Sequence, residues 1–359
     1  MSAIALVEKI LAEAHARGAS DVHLDPHAGR IVVRMRVDGI LHDVSEIHAG
    51  MRAEVLARIK ILAGLRTDEQ FAAQDGRFRF ASSAMEGIDV RVSTAPTYHG
   101  ENAVLRLLTP LVEHSALETL GFSFGHANAI EAALTRPHGM ILVTGPTGSG
   151  KTSTLYTLIT LLNKREVNII TIEDPVEYSI EGVNQIQVNA RSGLTFETGL
   201  RSMLRQDPDI IMVGEIRDSV TAGLACNSAL TGHLILSTLH TNDAVSALPR
   251  LLDLGIEPYL LASTVSLVIA QRLVRKVCTD CINMGCEHCC GTGYRGRICV
   301  AEVLGMTPVL REAMLRKASI DELRSLAISS GMIPMLEDGD TKARMGITSS
   351  EEVLRLRYE

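Results

Sequence analysis

The chain has 359 residues, 46% hydrophobic and 21% charged, with a formal net charge of −7. That length accommodates two domains with their own cores, and the composition excludes extended disorder. The acidic balance disfavours a sequence-independent nucleic-acid binder.

The first residues, Met1 to Lys9, carry charges early and read as an amphipathic helix rather than a signal peptide. Apolar positions at Ile4, Leu6, Val7, Ile10 and Leu11 give that helix a buried face that ends near Gly18. Strands are expected at 22–24, 31–35 and 40–41, with Asp38-Gly39 as a hairpin turn signal, and a helix over 51–65. Three more strand-like runs, 77–81, 88–93 and 102–108, complete a small α+β domain over residues 1–108. Residues 109–118, with Pro110, are the expected linker. From 119 to 359 the pattern changes to strands at 140–144, 168–172, 210–213 and 234–238 separated by helical segments, which predicts a parallel, doubly wound α/β sheet. The longest apolar stretch, 260–270, falls short of a membrane span. The chain is therefore expected to be cytoplasmic.

Chemistry concentrates at the ends of those strands. The first delivers the chain into Gly145, Pro146, Thr147, Gly148, Ser149, Gly150, Lys151 and Thr152, the G-x-x-x-x-G-K-[ST] phosphate loop, followed by a helix. Its glycines let backbone N–H groups converge on ATP phosphates, Lys151 adds a charge there, and the Thr152 hydroxyl is placed for Mg²⁺. Ser153 continues the loop into the helix. The second strand ends in Glu173, Asp174 and Glu177, carboxylates that could hold a magnesium shell or orient a water. The third closes in Gly214-Glu215, the Walker B arrangement, with Glu215 contacting Mg²⁺ through water or polarising the nucleophile. The fourth is flanked by His233 and His240, the latter a candidate sensor of the γ-phosphate. Five of the seven cysteines fall between Cys278 and Cys290. Cys278, Cys281, Cys286 and Cys289 form C-x₂-C-x₄-C-x₂-C, four thiolates suited to a closed structural zinc site, with Cys290 or His288 as possible substitutes for Cys289.

Together these motifs resemble the secretion ATPase superfamily, the motors of type II secretion, type IV pilus assembly and retraction, and DNA uptake. The first domain is similar to the family's PAS-like domain at Gly18, Asp21 and His23, at Val37-Asp38-Gly39, and from Arg91 through Gly100-Glu101 to Arg106. The resemblance implies a RecA-like ATPase domain carrying a zinc-binding insertion. Lys151, Thr152, Glu177 and Glu215 would form the reaction site, with His233 and His240 as the His box. Arg91 and Arg106 would be lent by the PAS-like domain to stabilise charge during phosphoryl transfer. Arg201 and Arg205 are weaker candidates for a contact from a neighbouring subunit. The resemblance further implies a homohexamer, recruited to the inner membrane by a platform protein and acting indirectly on pilins or pseudopilins. The tetracysteine favours the assembly and secretion branch, since retraction motors generally lack it. A retraction or DNA-uptake motor is the alternative, and a nucleic-acid-translocating ATPase is the alternative from another class. The chain starts at the PAS-like segment, which suggests a form short of the family's further N-terminal domain.

Overall fold

The computed structural model describes residues 2–82, 85–108 and 116–357. The chain divides into two compact units, Met1–Leu111 with Cys278–Gly296, and Val112–Val277 with Arg297–Glu359. Most of the expected linker, 109–115, lies outside the described residues.

The first unit is built on six strands: β1 (Ala19–His27), β2 (Arg30–Val37), β3 (Ile40–His48), β4 (Gln74–Ser82), β5 (Met85–Thr97) and β6 (Gly100–Leu108). They lie in the order β3-β2-β1-β6-β5-β4, and every adjacent pair is antiparallel. Asp38 (φ 49°) and Gly39 (φ 87°) both adopt the left-handed backbone that a tight β2–β3 turn requires. Helices Ala3–Ala16 and Arg52–Ala63 supply Val7, Leu11, Val55 and Ile59 to a core shared with Val22, Met35, Val90 and Leu105. The opposite face is polar, as the alternation of an antiparallel sheet allows.

The second unit holds seven strands: β7 (Gly139–Thr144), β8 (Ile169–Glu173), β9 (Asn184–Gln187), β10 (Ile210–Val213), β11 (Leu234–Leu239), β12 (Val265–Val277) and β13 (Tyr294–Gly305), ordered β13-β12-β7-β11-β10-β8-β9. From β12 to β9 all pairings are parallel, the α/β arrangement expected. Strands β7, β10 and β11 are buried throughout, because helices cover both faces. Alternate residues feed two cores: Leu142, Ile172, Val213 and Ile235 on one side, Val143, Ile169, Met212 and Leu236 on the other.

Three strands were not anticipated. The apolar run 260–270 is divided between helix Pro258–Thr264 and β12, which is buried on both faces and so shows no alternation. Strands β9 and β13 depend on long-range pairing with β8 and β12. Among the described residues no helix is long and apolar enough to cross a membrane.

Candidate functional site

Parallel order β12-β7-β11-β10-β8 aligns the carboxyl ends of five strands, and the phosphate loop leaves the one in second place. Gly145, Gly148 and Gly150 have φ of 143°, 80° and 90°, open to glycine at little cost. A Cβ on Gly145 would lie 2.6 Å from the backbone oxygen of Gln271, so the loop also needs glycine for space. Gln271, on β12, donates from Nε2 to the carbonyl of Ser149 at 2.8 Å and accepts from Thr154 Oγ1 at 2.8 Å. Thr144, at the end of β7, accepts the N–H of Thr241 at 2.8 Å and so ties the loop's root to the segment after β11.

Lys151 Nζ donates to the carbonyls of Gly145 (2.8 Å) and Pro146 (3.0 Å), which holds its ammonium over the loop. Burial lowers the basicity of Lys151, Glu215 opposes that, and Arg272 adds to it. Ser149 Oγ is buried, with no hydrogen-bond partner among the described residues. Helix Lys151–Leu162 starts here, with Thr152 exposed on its first turn and Ser153 half-buried. Converging N–H groups, a cation, an orphaned hydroxyl and a helix N-terminus suit the donor set to a polyphosphate with its magnesium.

Beside the loop, Glu215 follows β10. Its carboxylate contacts Arg217 Nε at 2.5 Å and His240 Nε2 at 3.4 Å, and its side chain is 13% exposed. Glu215 and His240 are thus brought together, with Lys151 near enough to feel the Glu215 charge, while Arg217 was not singled out from the sequence. The three carboxylates after β8 separate. Glu173 is buried and turned inward, accepting from Tyr156 Oη, Thr171 Oγ1 (2.6 Å) and Gln185 Nε2 (3.2 Å), so its oxygens are engaged within the protein. Asp174 and Glu177 are exposed.

His233 requires correction as a nucleotide ligand. It precedes the amino end of β11, with its ring nitrogen Nδ1 3.1 Å from the carbonyl of Ser228. Seven residues of extended chain separate it from His240, about 23 Å at 3.3 Å per residue. Arg201 and Arg205 lie on helix Phe196–Met203 and just beyond it, Arg201 paired with Glu197 at 3.2 Å and Arg205 donating to the Arg201 carbonyl.

In the first unit, sheet register produces a row of charges. Arg106 faces Asp21 on β1 and Arg91 on β5, and Arg91 faces Arg77 on β4. Asp21 binds Arg106 Nε at 3.0 Å. These residues, with Asp75 and Ser93, line a cleft of about 580 Å³ on the sheet's polar face. Like charges directly opposite one another cost stability, so three adjacent arginines favour an anion across them. Arg77 was missed in the sequence, because only the β4–β5 register aligns it with the other two.

Between β12 and β13 the chain forms the cysteine cluster. Sγ atoms of Cys278, Cys281, Cys286 and Cys289 all lie within 4.8 Å of one another, and three of the four residues are buried. Cys278–Cys286, Cys281–Cys289 and Cys286–Cys289 separations are 3.8, 3.7 and 3.6 Å. A tetrahedron with zinc–sulfur bonds of about 2.3 Å has sulfur–sulfur edges of about 3.8 Å, so the four thiols fit that ion. Burial raises the Cys289 thiol, but the N–H groups of Cys286 and Gly293 aimed at its sulfur outweigh this and bring it down to about 6. His288 points away to Asp280 (2.6 Å) and Cys290 is exposed, so Cys289 occupies the fourth corner.

A family model described as type II/IV secretion system protein matches residues 1–355. The chain is 46% identical to the type II secretion system protein HxcR of Pseudomonas aeruginosa, covering 98% of this chain and 77% of that protein. It is 42% identical to the type IV pilus assembly ATPase PilB of Thermus thermophilus, covering 98% of this chain but only 43% of that relative. Among solved structures, the pilus retraction motor PilT with bound ADP superposes with a TM-score of 0.68 at 27% identity, covering 97% of this chain and 96% of that one. The Legionella pneumophila ATPase DotB shares the fold, with a TM-score of 0.76 at 22% identity over 100% of this chain and 96% of that one.

Proposed function

The chain belongs to the type II/IV secretion system protein family, a family of ATP hydrolases, and on that premise we propose that it is the motor ATPase that drives assembly of a type IV pilus or a type II secretion pseudopilus. The observation that carries the reading is the arrangement of Glu215, His240 and Lys151 around one phosphate loop at the carboxyl ends of β7, β10 and β11.

In this reading the backbone from Gly145 to Gly150, with Lys151, Thr152 and Ser153, binds the phosphates, and Thr152 and Glu215 hold Mg²⁺. Bound magnesium neutralises charge that builds on the transferring phosphoryl group. Glu177 orients the attacking water, and Glu215 polarises it. His240, against Glu215, reports the γ-phosphate. Arg91 and Arg106 supply cationic groups to a bound nucleotide, where such arginines are worth roughly 10³–10⁵ in rate. Residues 119–359 are then the RecA-like ATPase domain, with the four thiolates of its insertion holding a structural zinc ion, and residues 1–108 the PAS-like domain. The motor works as a homohexamer on the cytoplasmic face of the inner membrane, acting through a platform protein on pilins or pseudopilins without nucleic acid. Support for the assembly branch comes from the tetracysteine and from relatives at 42–46% identity.

Steady-state ATPase assays of Glu215→Gln test the site. Turnover is expected to fall by at least about 100-fold with ATP binding retained, the range of a lost general base. An unchanged rate would falsify the assignment.

A further inference from the structure

Tyr156 is fully buried on helix Lys151–Leu162, and the proposed mechanism gives it no role. Its phenol nevertheless sits at the centre of a polar network. It donates to one oxygen of Glu173, whose other oxygen accepts from Thr171 Oγ1 (2.6 Å) and Gln185 Nε2 (3.2 Å). The same phenolic oxygen accepts the backbone N–H of Glu177 at 3.2 Å. On the other side of Glu177, the ring of Tyr178 packs edge-on against Tyr156 with centroids 4.6 Å apart, and its carbonyl accepts from Gln185 at 3.1 Å. Glu177 is therefore pinned at its own amide and at the next residue.

A buried carboxylate is costly unless its oxygens are satisfied, and a phenylalanine on the helix would fill the same space without one. The chain keeps Glu173 and surrounds it with three donors. The effect is to fix the direction of the Tyr156 hydroxyl, so that its proton goes to Glu173 and its lone pair remains for Glu177. Tyr156 also lies four residues beyond Thr152, which puts both on one helix face about one turn, or 6 Å, apart.

We propose that Tyr156 is a positioning residue for ATP hydrolysis: its hydroxyl fixes the backbone of Glu177 to the helix that carries Thr152, so the water-orienting carboxylate is held in register with the phosphate loop. This rests on the reading of Glu177 given above. Glu173, in the same arrangement, serves as the anchor of the phenol and not as a ligand of magnesium.

The test is a double-mutant cycle of Tyr156→Phe and Glu177→Gln, read as kcat, KM for ATP, and melting temperature. Tyr156→Phe keeps the ring and its packing. It is expected to lower kcat by about ten- to a hundredfold, the cost of misplacing a reacting group by an ångström, with KM within about twofold. Added to Glu177→Gln it is expected to cause no further loss, because the residue it positions is already disabled. Wild-type kcat in Tyr156→Phe, or losses that multiply in the double variant, would overturn the proposal. If instead Glu177→Gln alone turns over ATP at the wild-type rate, the role of Glu177 fails first and the positioning role falls with it, a pattern distinct from the other two. A Tyr156→Phe protein that melts lower yet keeps its kcat would show that the phenol is structural only.

Discussion

At the scale of single residues, the phosphate loop was fully legible, because its chemistry is local: six residues of backbone, one lysine and one hydroxyl in fixed order. Gln271 was not, since its role depends on β12 lying against β7. The available signal was a polar pair, Gln271-Arg272, ending the longest apolar run. Gln271→Ala would strip the Ser149 carbonyl and the Thr154 hydroxyl of a buried partner, each costing about 1–3 kcal/mol. The expected outcome is an ATP affinity weakened by about tenfold or more, measured by titration with a fluorescent nucleotide. Arg77 belongs with the same lesson. Its place beside Arg91 follows from a cross-strand register that a single strand cannot reveal. Strand spacing of about 4.8 Å puts Arg77 and Arg106 about 10 Å apart, with Arg91 between them. If the row binds the phosphates of ATP, as proposed for Arg91 and Arg106, Arg77→Ala should weaken ATP binding by about tenfold, a charge-assisted hydrogen bond being worth about 1.5–3 kcal/mol. An unchanged ATP affinity in Arg77→Ala, measured by the same titration, would remove Arg77 from the nucleotide. The misplacement of His233 has the same origin: two histidines flanked one strand, and the motif alone did not say that its ends are far apart.

Among elements, the four central parallel strands were legible because they are short, continuously apolar and followed by turn chemistry, whereas β9, β12 and β13 are strands by partnership. The cysteine segment shows how far chain order can mislead. It lies between β12 and β13 of the second unit's sheet, yet Cys278–Gly296 groups with the first unit. A specific bond accompanies that grouping: Asp38 Oδ2, in the β2–β3 turn, accepts the N–H of Gly296 at 2.8 Å. The backbone of the segment takes positive φ at Ile282, Asn283, Gly285, Cys290, Gly291 and Gly293, conformations that cost energy at the non-glycine positions and persist only when the surroundings hold them. Zinc would do so, as metal binding in comparable small units contributes about 10–16 kcal/mol of apparent folding energy. One zinc per chain is therefore expected by elemental analysis. Its loss in Cys281→Ser should raise hydrogen exchange in the segment and in the turn at Asp38, while β7, β10 and β11 stay protected. Exchange that rises instead across the parallel sheet would show that the metal supports the other unit.

For the whole molecule, the two units bury separate cores, one around Val22, Val90 and Leu105, the others on the two faces of the parallel sheet. Multi-unit chains of this kind need not unfold in one step, and each transition reports the ligands of its own unit. A ligand that binds only the native state stabilises it by about 2.7 kcal/mol at a hundredfold excess over Kd. In calorimetry of Glu215→Gln, expected to bind ATP without consuming it, MgATP should raise the transition of the unit that carries the phosphate loop. Zinc chelation should lower the other. These two shifts alone would describe a nucleotide site and a metal site with nothing in common. The row Arg77, Arg91 and Arg106 predicts a third shift: if these arginines engage the phosphates, MgATP also raises the transition of the unit that carries them. Arg106→Ala should then abolish that rise while sparing most of the shift in the unit with the phosphate loop. An ATP effect confined to one transition in both proteins would mean that the arginine row binds some other anion, and the coupling of hydrolysis to motion would have to come from elsewhere in the chain.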